Sequence, residues 1–324
     1  MSELLKNKKR IIIIRLSSLG DILLTTPLIR SIKTQYPQIT IDFLLREQYQ
    51  DTLKLNKYIS NLYLYKSDLR ELNDNSYNLI VDLQNNFRSR KVVKDLKAPT
   101  LKFRKYNLDK FLLVKFKINR VKYLPQIPIR YSNTIPDFKL DENGLDIFLP
   151  NDIKSNLKDE IKYIGFAPGS KHFTKMWPIE YYIELGKSLS NDGHIVVMLG
   201  GKNDKKICKE ISKEISSSID LSNDDDLFQT AGDMQQCSAI ICNDSGLMHL
   251  ACALKIPVLT FFGSTVKDFG FTPYKNHNLI LENNSLNCRP CSHIGKSSCP
   301  KDHFNCMKKL TPQLAYNNLK ELLT

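Results

Sequence analysis

A chain of 324 residues can bury the cores of two ordinary domains, and its 42% hydrophobic and 25% charged residues are those of a folded globular protein, which excludes low-complexity and disordered classes. The 47 Lys and Arg against 34 Asp and Glu leave a formal charge of +13, favouring an anionic partner: nucleic acid, a phospholipid surface or a phosphorylated substrate.

Lys6, Lys8, Lys9 and Arg10 precede an apolar run at 11–14, but Arg15 closes it after four residues. That is too short for a signal-peptide core or a bilayer span, and no other stretch reaches spanning length. A cytoplasmic protein is expected, with its eight cysteines as thiols or metal ligands rather than disulfides.

Apolar, β-branched runs then alternate with longer amphipathic stretches, the pattern of βαβ units on parallel sheets. Strands are expected at 11–15, 39–45, 61–65 and 78–83, with helices at 21–36 and 47–55. Pro27 requires the first helix to begin near Thr26 or to kink there. Pro125, Pro128, Pro136, Gly144 and Pro150 mark a linker, which sets a first domain at 1–150 and a second at 151–324. In the second, strands are expected at 162–167, 194–199, 238–242, 256–261 and 277–281, and Pro178 opens a helix toward Ser190. The fold class is α/β with two Rossmann-like domains. If they face each other, their strand-end loops share one cleft.

Four loops carry chemistry. The first, 15–21, sets Asp21 at a strand end just after the turn at Ser18 and Gly20; Asp21 is either a proton acceptor or a helix cap. The loop lacks the full glycine spacing of a dinucleotide fingerprint, and no acidic residue follows the second strand in the expected place, which disfavours a nicotinamide oxidoreductase. The second, 168–178, gathers Gly169, Ser170, Lys171 and Lys175 between a strand and a helix, as phosphate binding requires. The third, 200–204, is a glycine turn whose Asp204 either accepts from ribose hydroxyls or simply closes the turn. The fourth joins a strand to a helix through Asn243-Asp244-Ser245-Gly246. Unpaired N–H groups at Ser245 and Gly246 would hold a phosphate and Asp244 a hydroxyl beside it, which together describe a nucleotide sugar. Cys288, Cys291, Cys299 and Cys306 form a C-x2-C-x7-C-x6-C cluster suited to a structural zinc ion, which would stand away from the chemistry. Cys208, Cys237, Cys242 and Cys252 read as buried small hydrophobes.

These motifs, in this order, resemble those of glycosyltransferase family 9, the ADP-heptose:lipopolysaccharide heptosyltransferases. The likeness covers most of the chain, and the cysteine-bearing tail is more similar to the second heptosyltransferase than to the first. It implies a GT-B type fold with the active site in the inter-domain cleft. It also implies inverting transfer of L-glycero-D-manno-heptose from ADP-heptose to the lipopolysaccharide inner core, with no catalytic metal or other cofactor. By resemblance Asp21 is the catalytic base, Lys175 contacts the donor diphosphate, and Ser170, Lys171, Asp204, Asp244, Ser245, Gly246 and His249 belong to the donor site. Ser18, Gly20 and Arg88 fall to the acceptor. Residues 82–89 resemble the family's Asp-Leu-His-Gly-Asn-Leu-Arg-Ser element, with Gln84 and Asn85 replacing His and Gly; Met176 stands where the family more often has Arg.

The basic surplus then fits a phosphorylated lipid acceptor and peripheral, salt-sensitive association with the inner face of the cytoplasmic membrane. Another nucleotide-sugar transferase or epimerase would share this fold and most of these loops. A nucleic-acid binder would need basic and aromatic residues interleaved around the cysteines, where only Arg289, Lys296, Lys301 and Phe304 stand, so nucleic acid is not an expected partner.

Overall fold

The isoleucine run near the N-terminus becomes the central strand of a parallel sheet. The computed structural model describes residues 2–73, 76–159 and 161–324. Strand β1 (Arg10–Ile14) pairs in parallel with β2 (Thr40–Leu45) on one side and β4 (Leu79–Asp82) on the other; β3 (Asn61–Leu64) and β5 (Thr100–Lys102) complete the order β3-β2-β1-β4-β5. Both faces of a central parallel strand are covered, which is why Ile11, Ile12, Ile13 and Ile14 are all fully buried and read as an unbroken apolar run.

The second sheet contains β6 (Tyr163–Ala167), β7 (Ile195–Met198), β8 (Ser218–Asp220), β9 (Cys237–Asn243), β10 (Val258–Phe262) and β11 (Asn278–Glu282), in the order β11-β10-β9-β6-β7-β8. All its pairs are parallel. Strand order reverses between β1 and β4 in one sheet and between β6 and β9 in the other. In open sheets of this kind ligands bind beyond the strand ends at that reversal. Trp177 anchors the second core: its ring stacks on Phe261 at 4.2 Å and 12°, and its indole N–H donates to Leu310 O at 2.7 Å.

Several local expectations change in the fold. The stretch at 21–36 is two helices, Leu19–Leu23 and Thr26–Gln35, broken where Pro27 enters the first turn of the second. The stretch at 47–55 is a 3₁₀ segment, Glu47–Thr52. Strands β5 and β8 escaped the periodicity because three residues are too few to show it.

The chain divides into two units, but not by one cut at 150. Tyr106–Leu124 belongs with the second unit, and Pro125–Phe148 belongs with the first. The proline-rich stretch is therefore no free linker. It contains the helix Ile127–Ser132, and Arg30 reaches it with two bonds of 2.8 Å to Asp141, a third to Asp146 and one of 2.9 Å to Gly144 O. Arg30 is buried, so removing it takes away the guanidinium that two carboxylates share. Arg30→Ala should lower stability by roughly 2 to 4 kcal/mol in urea unfolding. A loss below about 0.5 kcal/mol would mean that this segment is held by packing alone.

Candidate active site

At the reversal of the second sheet, the buried side chain of Asn243 ends β9. Its Oδ1 accepts from Trp177 N at 2.9 Å and its Nδ2 donates to Pro168 O at 2.7 Å, so one amide fixes both ends of the loop that follows β6. That loop carries Lys175, whose Nζ lies 2.7 Å from Asp244 Oδ2. The same oxygen accepts from Thr265 Oγ1 at 2.8 Å. Next along the chain, Ser245 is the N-cap of the helix Gly246–Ala253, yet its side chain makes no capping bond. Ser245 Oγ is buried without a hydrogen-bond partner among the described residues. A cation, an uncommitted hydroxyl and the open N–H groups of a helix start thus converge, which is the chemistry of an anion site.

The other residues assigned to the donor stand at different depths. Asp204 accepts from Gly201 N at 3.1 Å and presses so closely on Gly169 that a methyl group there would collide with its carboxylate. Burial pushes its carboxyl up. Ser170 is partly exposed at the edge of the loop, Lys171 extends into solvent, and His249 is buried within its helix.

At the reversal of the first sheet, Asp21 closes a capping box: Oδ2 accepts from Ser18 N at 3.1 Å and from Ser18 Oγ at 2.8 Å. Its Oδ1 pairs with the Arg15 guanidinium, and the Tyr131 hydroxyl also bonds to this carboxylate. Burial alone would push the Asp21 carboxyl up, but Arg15 and the Ser18 bonds outweigh it and hold the group below the ordinary carboxylate value. Of the influences that keep it charged, the Arg15 guanidinium is the largest. Arg15 is itself locked by Ser17 O at 2.9 Å and Leu83 O at 2.8 Å.

Gln84, without a role from the sequence, accepts Leu16 N at 2.9 Å and so holds the loop after β1 from the end of β4. Lys105, also missed, has its ammonium pushed down by burial and by Arg15. Gly20 is buried inside the helix Leu19–Leu23, while Arg88 is exposed on the first turn of the helix Phe87–Leu96. The hydrogen bonds around Asp21 do not include Arg88.

The cysteine-bearing segment packs against the loop that carries Lys175. Lys296 N donates to Thr174 Oγ1 at 2.8 Å and Thr174 N donates to Lys296 O at 3.1 Å, directly beside Lys175. Arg289, another residue missed by motif reading, is buried and donates to Gly263 O, Phe262 O and Thr265 O at 2.7, 2.8 and 3.0 Å. It thereby braces the loop that presents Thr265 to Asp244. Cys288, Cys291 and Cys299 are near enough to Cys306 to act on its thiol, which burial pushes up to about 11. Cys288 Sγ is 3.8 Å from His303 Nε2. Among the described residues, however, no group of three or more His, Cys, Asp or Glu is placed to hold a metal ion.

A sequence model of the family described as Glycosyltransferase family 9 (heptosyltransferase) matches residues 67–301. The chain belongs to glycosyltransferase family 9. The matched stretch takes in Lys175, Asp204, Asp244 and Arg289 and leaves Asp21 and Cys306 outside it. The lipooligosaccharide heptosyltransferase 2 of Campylobacter jejuni is 29% identical to this chain over 188 residues, 55% of the chain and 58% of the relative. The chain spans about half the length of the curated relatives it matches.

In three dimensions, the family 9 glycosyl transferase of Veillonella parvula aligns over 97% of each chain with a TM-score of 0.80 at 22% identity. The E. coli ADP-heptose lps heptosyltransferase II aligns over 97% of this chain and 98% of its own, with a TM-score of 0.74 at 23% identity. The fold is the GT-B type of these family members.

The electrostatics around Asp21 can be checked on the protein alone. Carboxyl-carbon NMR should show Asp21 titrating below the ordinary carboxylate range, and Arg15→Gln should move it upward. Because the folded value is the depressed one, the stability Asp21 contributes is present above its unfolded value and is lost as pH falls through the folded one. An unmoved titration in Arg15→Gln would assign the depression to Ser18 alone.

Proposed function

We propose that this chain transfers L-glycero-D-manno-heptose from ADP-heptose to the inner core of lipopolysaccharide, inverting the anomeric centre by direct displacement without a catalytic metal. The observation that carries the reading is the Lys175–Asp244 pair beside the uncapped Ser245 at the head of the helix Gly246–Ala253. In this reading the donor diphosphate takes the Lys175 ammonium away from Asp244 and accepts from the helix N–H groups. Asp244, still held by Thr265, is then free to orient a sugar hydroxyl. Lys175 balances the charge that develops on the leaving ADP. Asp21 takes the proton of the acceptor hydroxyl as the new C–O bond forms, with Arg15 keeping the carboxylate ionised beforehand. The names of the relatives support the substrate class, and the formal charge of +13 supports a phosphorylated lipid acceptor met at the inner face of the cytoplasmic membrane.

A structural zinc ion on Cys288, Cys291, Cys299 and Cys306 completes the proposal. The clustering of the four thiols in one short segment supports it; binding would require their loops to draw together, and no step of the transfer runs through the metal. Elemental analysis of protein purified without chelator should find about one equivalent of zinc. Less than about a tenth of an equivalent, with four titratable thiols in the segment, would remove the metal from the reading.

Lys175→Ala should weaken ADP binding by roughly tenfold or more in calorimetry, and Ser245→Pro should weaken it by removing a backbone donor. Unchanged ADP affinity in both variants would place the nucleotide elsewhere. Asp21→Asn should cut heptose transfer, followed by mass spectrometry of a truncated acceptor, by roughly two to four orders of magnitude while ADP affinity holds. Retention of more than about a tenth of the turnover would leave Asp21 as a helix cap.

A further inference from the structure

One helix of the second unit is apolar on the side turned away from its own core. In the helix Asn107–Phe116 only Leu113 is buried, and it packs with Val121, Val266 and Phe269. The segment is pinned on that side by Lys117 Nζ, which donates to Cys288 O at 3.0 Å and Pro290 O at 2.7 Å, and by Asn119 Nδ2, which donates to Asp268 Oδ2 at 2.9 Å. The exposed part of the segment is unusual for a water-facing surface. Leu108 is 66% exposed, Phe111 55%, Phe116 58% and Tyr123 89%, and the two phenylalanine rings meet edge-on at 6.0 Å. Lys115, Arg120 and Lys122 are exposed among them, and Asp109 is the one acidic residue in 106–124.

We propose that this face, centred on Phe111 and Phe116, docks on an anionic phospholipid bilayer. Leu108 and the phenylalanine rings would enter the headgroup and acyl boundary. Lys115, Arg120 and Lys122 would meet the lipid phosphates, and Tyr123 would sit at the water interface, where aromatic rings with a polar tip are favoured. The charge selects this occupant: exposed cations in the same segment as exposed aromatics complement an anionic lipid surface and repel a second copy of that segment. No helix among the described residues is long and apolar enough to cross a membrane, so the contact would be interfacial. This surface rests on the reading of peripheral membrane association given above and names the residues that would make it.

The test is flotation of the full chain with phosphatidylcholine vesicles that contain or lack phosphatidylglycerol, at low and high salt. The wild type should float only with the anionic vesicles and lose binding as salt rises. A Lys115→Gln, Arg120→Gln, Lys122→Gln triple variant should bind roughly a hundredfold more weakly, at about fivefold per cation removed. Phe111→Ser with Phe116→Ser should weaken binding by roughly tenfold or more, with thermal melting unchanged because neither ring is in the core. Three outcomes would overturn the proposal: no binding by the wild type, equal binding to neutral vesicles, or both variants binding like the wild type. A wild-type dimer dispersed by the phenylalanine variant, without vesicle binding, would overturn it in favour of a second copy. Heptose transfer to a water-soluble, deacylated core acceptor, measured in parallel, reports on the enzymatic reading independently, and both variants should retain it.

Discussion

A buried amide holds the candidate donor site together. Asn243 ends β9 with no exposure to water, so each of its polar groups must find a partner inside the protein or cost about 1 to 3 kcal/mol. The partners it finds are the backbone of Pro168 and of Trp177, the two ends of the loop that carries Lys175. Trp177, stacked on Phe261, transmits the position of the second core to that loop. The Lys175–Asp244 contact therefore follows from where β6, β9 and β10 end, and the reversal of strand order brings β6 and β9 side by side.

Carboxylates at the strand-end loops are tuned in opposite directions. Asp82 and Asp204 are pushed up by burial, and each serves backbone N–H groups that hold a loop in shape. Asp21 is half-buried, and a guanidinium keeps it charged. A buried carboxylate stabilised in its anionic form is costly unless it is paired, and the Arg15 pair, locked by two carbonyls, is the arrangement that allows one.

The cysteine-bearing segment acts as a brace as well as a candidate metal site. Arg289 gathers three carbonyls at the end of β10 and pairs with Glu282, Lys296 exchanges two hydrogen bonds with Thr174, and Lys117 joins the segment to the helix Asn107–Phe116. The donor loops on one side and the exposed aromatic face on the other are thus connected through one irregular stretch of chain within the same unit.

The sequence by itself determined the fold class, nearly every strand and the loops that carry the candidate site. Strands buried on both faces read as continuous apolar runs, and loops that approach phosphate need glycine, serine and lysine at their turns. Resemblance supplied the family, which an independent match over 67–301 shows. Tertiary structure alone decided which side chains complete each site. Gln84 reaches Leu16 from 68 positions away and Arg289 reaches the β10 loop through contacts that no spacing announces, because hydrogen bonds between distant loops leave no period in a sequence. It also decided that 106–124 joins the second unit while 125–148 stays in the first as a packed part of it, since a proline-rich stretch reads as a linker until Arg30 is seen to bind it. Local propensity acts over a few residues, whereas these choices were made by burial and charge pairing across the whole fold.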